Sequence, residues 1–104
     1  MRQYFDISDV RESTVNLPMV YPNPFSESTE IRFLNTRKGL VNVSVYDVQG
    51  KKITNIANDI MAQGEISLQW NGKTETGTNL SNGLYFIRIS TPDNEFKTSI
   101  IYSK

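Results

Sequence analysis

The sequence from residue 83 to residue 90 reads Gly83-Leu84-Tyr85-Phe86-Ile87-Arg88-Ile89-Ser90. In this run Tyr85, Ile87 and Ile89 alternate with Phe86, Arg88 and Ser90. A period of two places alternate side chains on opposite faces, which is typical of an antiparallel strand with one buried and one solvated face. The glycine in front of the run is a turn signal. The segment therefore predicts a β-strand.

The rest of the chain repeats this pattern in short segments separated by glycines and other turn residues. The other predicted strands are residues 15–21, 29–33, 41–45, 51–56, 66–70 and 96–102. Pro18 cannot donate a hydrogen bond to a neighbouring strand, so the first of these is predicted at a sheet edge. About seven short strands predict an all-β, immunoglobulin-like antiparallel β-sandwich. The expected core is Ile31, Phe33, Val43, Val45, Leu68, Trp70, Tyr85, Ile87 and Ile100.

Residues 53–61 allow a second interpretation. Their apolar positions follow the spacing of an amphipathic helix, at Ile53, Ile56, Ala57, Ile60 and Met61. The intervening residues include two asparagines, a threonine and an aspartate, which are poor helix formers. We expect a strand from Lys51 to Ile56 and then a loop that ends at Gly64, and we keep the helix as the alternative.

The length of 104 residues fits a single domain. Residues 1–14 show no clean period and carry mixed charges, so we expect a linker or N-terminal arm there, followed by the domain at residues 15–104. No apolar run approaches 18 residues, which predicts no membrane insertion. The first residues also lack the pattern of a signal peptide.

The composition excludes several kinds of chemistry. The chain contains no histidine and no cysteine, which excludes a triad with an imidazole base, thiol nucleophiles and thiolate metal sites. Its 11 basic and 11 acidic residues give a net charge of zero, without the basic excess of proteins that bind nucleic acid. The carboxylates are scattered and form no calcium-loop motif. We predict no enzyme activity, no cofactor, no metal and no nucleic-acid partner.

The turn residues have structural interpretations. Pro22-Asn23-Pro24 fixes two φ angles and predicts a rigid corner after the first strand. Gly50 is expected to supply the positive φ of a tight hairpin, and Gly72 to do the same directly after Trp70.

A polar loop precedes the predicted strand at residues 83–90. Gly77 and Gly83 punctuate this loop, from Lys73 to Asn82. Tyr85 stands at the start of a late strand, where β-sandwiches often place a tyrosine whose hydroxyl bonds back to the backbone. We therefore predict a structural role for all three residues.

Three ordered stretches carry a family resemblance. They are residues 20–25 with 29–33 (VYPNPF and TEIRF), residues 43–53 (VSVYDVQGKKI), and residues 70–88 (from WNG to LSNGLYFIR) with the last strand, 97–104. Together they resemble the C-terminal sorting domain of the type IX secretion system of Bacteroidetes-type bacteria, which is related to the immunoglobulin-like domain of flagellar hook-capping proteins. The resemblance covers roughly residues 17 to 104.

The resemblance implies a folded transport signal. It implies a larger passenger protein upstream, transit through the periplasm, recognition by the outer-membrane type IX translocon, and removal or exchange by a sortase-like peptidase. The passenger would reach the cell surface or the medium. We expect the last hairpin to be the recognised shape, together with backbone groups on exposed strand edges, and Lys97, Ile101 and Lys104 to be recognition residues. By alternation, Lys97 and Ile101 share one face of the last strand, where Ile101 is either exposed or packed against a neighbouring loop.

A second function class stays open. The domain could be an immunoglobulin-like spacer or a weak glycan-binding module of a secreted enzyme or adhesin. Sugars stack on exposed aromatic rings, and Phe25, Tyr46 and Phe86 are the aromatic residues least committed to the core by alternation.

Overall fold

The computed structural model describes residues 17–104, so the predicted linker or arm at residues 1–14 lies outside the described residues. Seven strands form, and none of the described residues is helical. The described part accordingly holds no helix that could cross a membrane. The strands are β1 (Met19–Tyr21), β2 (Thr29–Asn35), β3 (Gly39–Tyr46), β4 (Lys52–Met61), β5 (Gly64–Trp70), β6 (Gly83–Ser90) and β7 (Glu95–Tyr102).

The strands pair into two antiparallel sheets. One sheet has three strands in the order β1-β2-β5, and the other has four in the order β4-β3-β6-β7. The alternating inward side chains of both sheets share one core. This architecture confirms the predicted all-β sandwich of about seven strands.

The core agrees with the alternation of the sequence at all but one predicted position. Eight of the nine expected core residues are buried, whereas Leu68 is only partly buried. Leu68 lies on β5, an edge strand of the smaller sheet, where burial on one side is incomplete. The core also includes Phe25, Val41, Leu80, Ile89 and Tyr102.

The first strand is shorter than predicted. β1 begins at Met19, directly after Pro18, and has only three residues. It pairs with β2 alone, which confirms the predicted edge position. Pro18 offers no N–H to a ladder, so the strand starts after it.

The expectation of a loop after Ile56 is wrong, and so is the alternative of a helix. β4 continues to Met61 and pairs with β3 along its whole length, as in Leu40↔Ile60. Its register shifts twice, leaving Ile53 and Ile56 as extra residues opposite single residues of β3. Each β-bulge interrupts the period of two. The helix-like spacing of the apolar residues is therefore the product of two bulges.

The predicted turn glycines have positive φ. Gly50 has a φ of 87° and closes the turn between β3 and β4. Gly72 has a φ of 73°, but the prediction of a hairpin there is wrong, because β5 and β6 lie in different sheets. Gly72 instead begins the loop that crosses between the sheets. Gly77 and Gly83, at 84° and 152°, also adopt positive φ.

Tyr85 makes the predicted bond to the backbone. Its hydroxyl donates to the carbonyl oxygen of Ser81 at 2.7 Å, and its ring is buried. Burial raises the pKa of the Tyr85 hydroxyl, since the phenolate would lose hydration. The hydroxyl therefore stays a donor and holds the crossing loop against the start of β6.

Candidate functional site: the terminal hairpin

The terminal hairpin is formed by β6 and β7, which pair from Gly83↔Tyr102 to Ser90↔Glu95. Even-numbered residues of β7 point into the core, and odd-numbered residues point to solvent. Lys97 and Ile101 are both odd, so the structure places these two predicted recognition residues on one solvent face. We call this surface, with Leu84, Phe86 and Arg88 of β6, the hairpin face.

Lys97 lies in the middle of the hairpin face rather than at the end of its strand. It is the third residue of β7 and pairs with Arg88 of β6. Its Nζ lies 4.8 Å from the centroid of the Phe86 ring, a cation–π distance. Within residues 17–104 no carboxylate lies within ion-pair distance of this ammonium group, so its charge is open to a partner.

Arg88 is in the opposite situation. Its guanidinium lies 2.6 Å from a carboxylate oxygen of Glu95. The hydrogen bond and charge of Glu95 raise the pKa of Arg88, so the guanidinium stays protonated. Because both side chains are about half exposed, the pair contributes little to stability. Its main effect is to neutralise both charges and leave Lys97 as the net positive group.

Ile101 forms an exposed apolar pair with Leu84. The two residues are cross-strand neighbours, 42% and 41% exposed respectively. The sequence left open whether Ile101 is exposed or packs against a loop, and the structure shows that it is exposed. Such a cross-strand pair adds modestly to the stability of the sheet, and on a solvent face it also offers apolar area to a partner.

Lys104 lies beyond β7, and its backbone is fixed. Its N–H donates to the side-chain oxygen of Asn82 at 2.9 Å, and its carbonyl oxygen accepts from the Asn82 amide at 3.3 Å. Its side chain is exposed. The structure thus orders Lys104 near the turn into β6 but does not place it on the strand with Lys97 and Ile101.

The Pro-Asn-Pro corner contacts β7, which the sequence did not predict. The side chain of Asn23 donates to the carbonyl oxygen of Ser99 at 3.1 Å and accepts from the N–H of Ile101 at 3.0 Å. Phe25 then bonds through its backbone to the carbonyl oxygen of Ile101 and the N–H of Ser103, both at 2.9 Å. We call residues 22–25 the edge clip, because they add alongside the outer edge of β7.

The edge clip is anchored by aromatic packing. The ring of Phe25 lies 5.4 Å from that of Trp70 and 5.1 Å from that of Tyr102. Gly72 lies against the same cluster, and a Cβ there would come within 2.9 Å of the Tyr102 ring. A side chain at position 72 would therefore displace the rings that hold the clip.

Phe25 is not the solvent-facing aromatic residue that we expected, since only 3% of it is exposed. Alternation could not detect its burial, because the residue lies outside every predicted strand. The available signal is that Phe25 is the one apolar side chain between Pro22 and Ser28.

Tyr46 and Phe86 do lie near each other on the solvent side of the larger sheet. They pair across β3 and β6 and line an open hollow of about 370 Å³ with Val48 and Lys97. Lys97 lies over the Phe86 ring and so occupies a face on which a sugar would stack. The hollow gives the glycan-binding alternative no support beyond the presence of two rings.

Comparison with known proteins finds one matching protein family. A family model described as "Secretion system C-terminal sorting domain" matches residues 19–103. Among curated protein sequences, none matches this chain significantly.

Three solved structures share the fold. The chain is similar to dimeric latent PorU from Porphyromonas gingivalis, with a TM-score of 0.66 and 21% identity, covering 82% of this chain and 9% of that one. It is similar to PorZ, a surface component of the type IX secretion system of the same species, with a TM-score of 0.58 and 17% identity, covering 84% and 11%. It is also similar to the flagellar hook-capping protein FlgD from Xanthomonas campestris, with a TM-score of 0.57 and 20% identity, covering 92% and 74%.

These findings confirm the resemblance based on the three sequence stretches. The matched family range contains all three stretches except the last residue, Lys104. The chain spans about a tenth of the length of PorU and PorZ, so those structures share one part of themselves with it.

Proposed function

This chain belongs to the family of secretion system C-terminal sorting domains, and from that membership we propose that export depends on binding of its hairpin face by the type IX machinery. The domain is a type IX sorting domain, a class whose members are attached to a passenger and direct it to the cell surface or the medium. The family is not a catalytic one. The chain then acts as a signal that the machinery binds, without chemistry of its own.

One observation carries the proposal. The hairpin face combines an exposed apolar pair, Leu84 and Ile101, with an ammonium group at Lys97 that has no carboxylate partner in the described part of the chain. Apolar contact area supplies affinity, and an unpaired charge supplies orientation and selectivity. A spacer needs neither feature on its solvent face.

The route that we propose has three stages. An upstream passenger with its own export signal first reaches the periplasm with this domain attached. The outer-membrane type IX translocon then binds the hairpin face of the folded domain. A sortase-like peptidase finally removes or exchanges the domain once the passenger is outside.

The lysines test this proposal with little risk to the fold. A reporter carrying this chain at its C-terminus is expected to reach the surface of a bacterium that has a type IX system. The double variant Lys97→Ala and Lys104→Ala should shift the free energy of unfolding by no more than about 0.5 kcal/mol, because both side chains are exposed. We expect this variant to be partly retained in the periplasm, as measured by fractionation and immunoblotting.

The matched control is Lys38→Ala with Lys73→Ala, which removes the same charge from two exposed sites away from the hairpin. We expect export of the control to equal that of the unmodified domain. Equal export of both double variants would place the recognition surface elsewhere. Periplasmic retention of the unmodified, folded fusion would contradict the proposed export role of this chain.

A further inference from the structure

The outer edge of β7 is covered along only part of its length. In an antiparallel strand the backbone groups of alternate residues point to the same edge. The clip contacts show that backbone groups of Ser99, Ile101 and Ser103 point to the outer edge of β7. By the same alternation, the N–H and carbonyl of Lys97 also point to this edge. Among residues 17–104 the edge clip occupies the carbonyl of Ser99 and the groups beyond it, and the N–H of Ser99 and both backbone groups of Lys97 have no strand partner.

The outer edge of β7 already binds one short extended segment of the same chain. Phe25 pairs with Tyr102 in the parallel sense, through backbone hydrogen bonds to Ile101 and Ser103. Asn23 extends the same ladder through its side chain. The clip is therefore a short strand already added to β7, and the uncovered part continues the same line toward Glu95.

The other sheet edges are less suitable for an added strand. β1 offers only three residues, and β4 is distorted by two register shifts. Residues of β4 and β5 line one groove together, including Ile56 and Gln69, so a strand added to either edge would have to fit beside the other strand. Short and bulged edges resist strand addition.

The positive charge of Lys97 at the uncovered part of the edge favours a partner strand that carries a carboxylate. Lys97 lies at the centre of this edge, and Glu95 is already paired with Arg88. A second copy that added its own β7 antiparallel in the register Lys97↔Lys97 would bring two ammonium groups together, which is unfavourable. In the register Lys97↔Glu95 it would compete with the existing pair of Glu95 and Arg88. A strand with a carboxylate opposite Lys97 would instead form a favourable cross-strand pair.

We propose that the export machinery adds an extended, acidic strand to the uncovered edge of β7, from Glu95 to Ser99, in line with the edge clip. This inference rests on the proposed function, since it names how the machinery binds the same hairpin. Backbone hydrogen bonds of this kind supply affinity without requiring a particular sequence, and side chains at alternate positions supply specificity.

A proline at position 99 tests the added strand. Ser99→Pro removes an outward N–H and fills the place of the partner's carbonyl, while the bonds from β7 to β6 stay intact because proline is tolerated on free strand edges. We expect export of the reporter fused to the complete chain to fall about two- to tenfold, the effect of one lost hydrogen-bonded contact. Ser99→Ala is the matched control, since it removes the hydroxyl and keeps the N–H, and it should be exported more than Ser99→Pro.

A second pair of variants separates lost binding at the edge from a folding defect. Lys97→Pro and Lys97→Ala both remove the charge, but only the proline also removes the edge N–H. The inference predicts that Lys97→Pro is exported less than Lys97→Ala when thermal unfolding shows both to be folded. Equal export of the proline and alanine variants at both positions would overturn the strand-addition inference while leaving the sorting function intact.

Two further outcomes separate this inference from its alternatives. Sedimentation of the purified chain should show a monomer. A dimer that Ser99→Pro abolishes would overturn the inference and assign the edge to a second copy. Failure of the unmodified fusion to be exported would contradict the proposed function itself, so the two failures are distinguishable.

Discussion

Trp70→Ala is expected to lower the free energy of unfolding by about 3–5 kcal/mol, because it empties a large volume between the two sheets. Trp70 ends β5 and is only 5% exposed. Its ring packs on Phe25, and its Nε1–H donates to the carbonyl oxygen of Lys73 at 3.2 Å. Since small domains are stable by only about 5–15 kcal/mol, the variant should be close to unfolding. Urea denaturation followed by far-UV circular dichroism measures the loss.

The control for this prediction is Trp70→Phe. It keeps most of the volume and loses the hydrogen bond, so we expect a smaller loss of about 1–2 kcal/mol. In the unmodified protein, the fluorescence of Trp70 should be well protected from quenching by acrylamide. Full quenching in the native state, or a loss below about 1 kcal/mol for the alanine variant, would contradict the position given to this ring.

Phe25→Ala is expected to cost a similar amount, about 3–5 kcal/mol, although the residue lies outside every strand. Its ring contacts both Trp70 and Tyr102, so its removal leaves a cavity and frees the edge clip. We expect the amides of Ile101 and Ser103 to exchange with solvent faster as the clip loosens, which hydrogen exchange measured by NMR detects at each residue.

Asn23→Ala separates the two effects of the clip. It removes both side-chain bonds to β7 and leaves the aromatic cluster in place. We expect faster exchange at Ile101 with a smaller loss of stability than for Phe25→Ala. Unchanged exchange at Ile101 and Ser103 in both variants would show that the clip does not protect the edge.

The sequence predicts those strands in which apolar and polar residues alternate with a period of two. Alternation located β2, β3, β5, β6 and β7 and most of the core, because each of these strands buries one face. It failed on β4, where Ile53 and Ile56 are bulged residues that mimic helical spacing. A bulge depends on the partner strand, and no local pattern reveals it.

The same limit applies to the site. Alternation placed Lys97 and Ile101 on one solvent face, as the structure has them. It could not show that Asn23 and Phe25 reach β7, because about 76 residues separate Asn23 from Ser99. The local interpretation of Pro22-Asn23-Pro24 as a rigid corner was compatible with the clip but did not identify what the corner holds.

Binding of the hairpin face by the type IX machinery is tested by two pairs of substitutions on the solvent side of the same sheet. Leu84→Ser with Ile101→Ser removes the apolar pair of the hairpin face, and Leu40→Ser with Ile60→Ser removes a pair on β3 and β4 that is even more exposed, at 57% and 58%.

Both double variants carry the same chemical change on exposed cross-strand pairs, so both should fold. The measurement is the fraction of a fused reporter that reaches the cell surface, normalised to the unmodified domain. We predict that the Leu84 and Ile101 variant is retained in the periplasm while the Leu40 and Ile60 variant is exported normally. Normal export of the former, or equal retention of both when both are folded, would contradict recognition through the hairpin face.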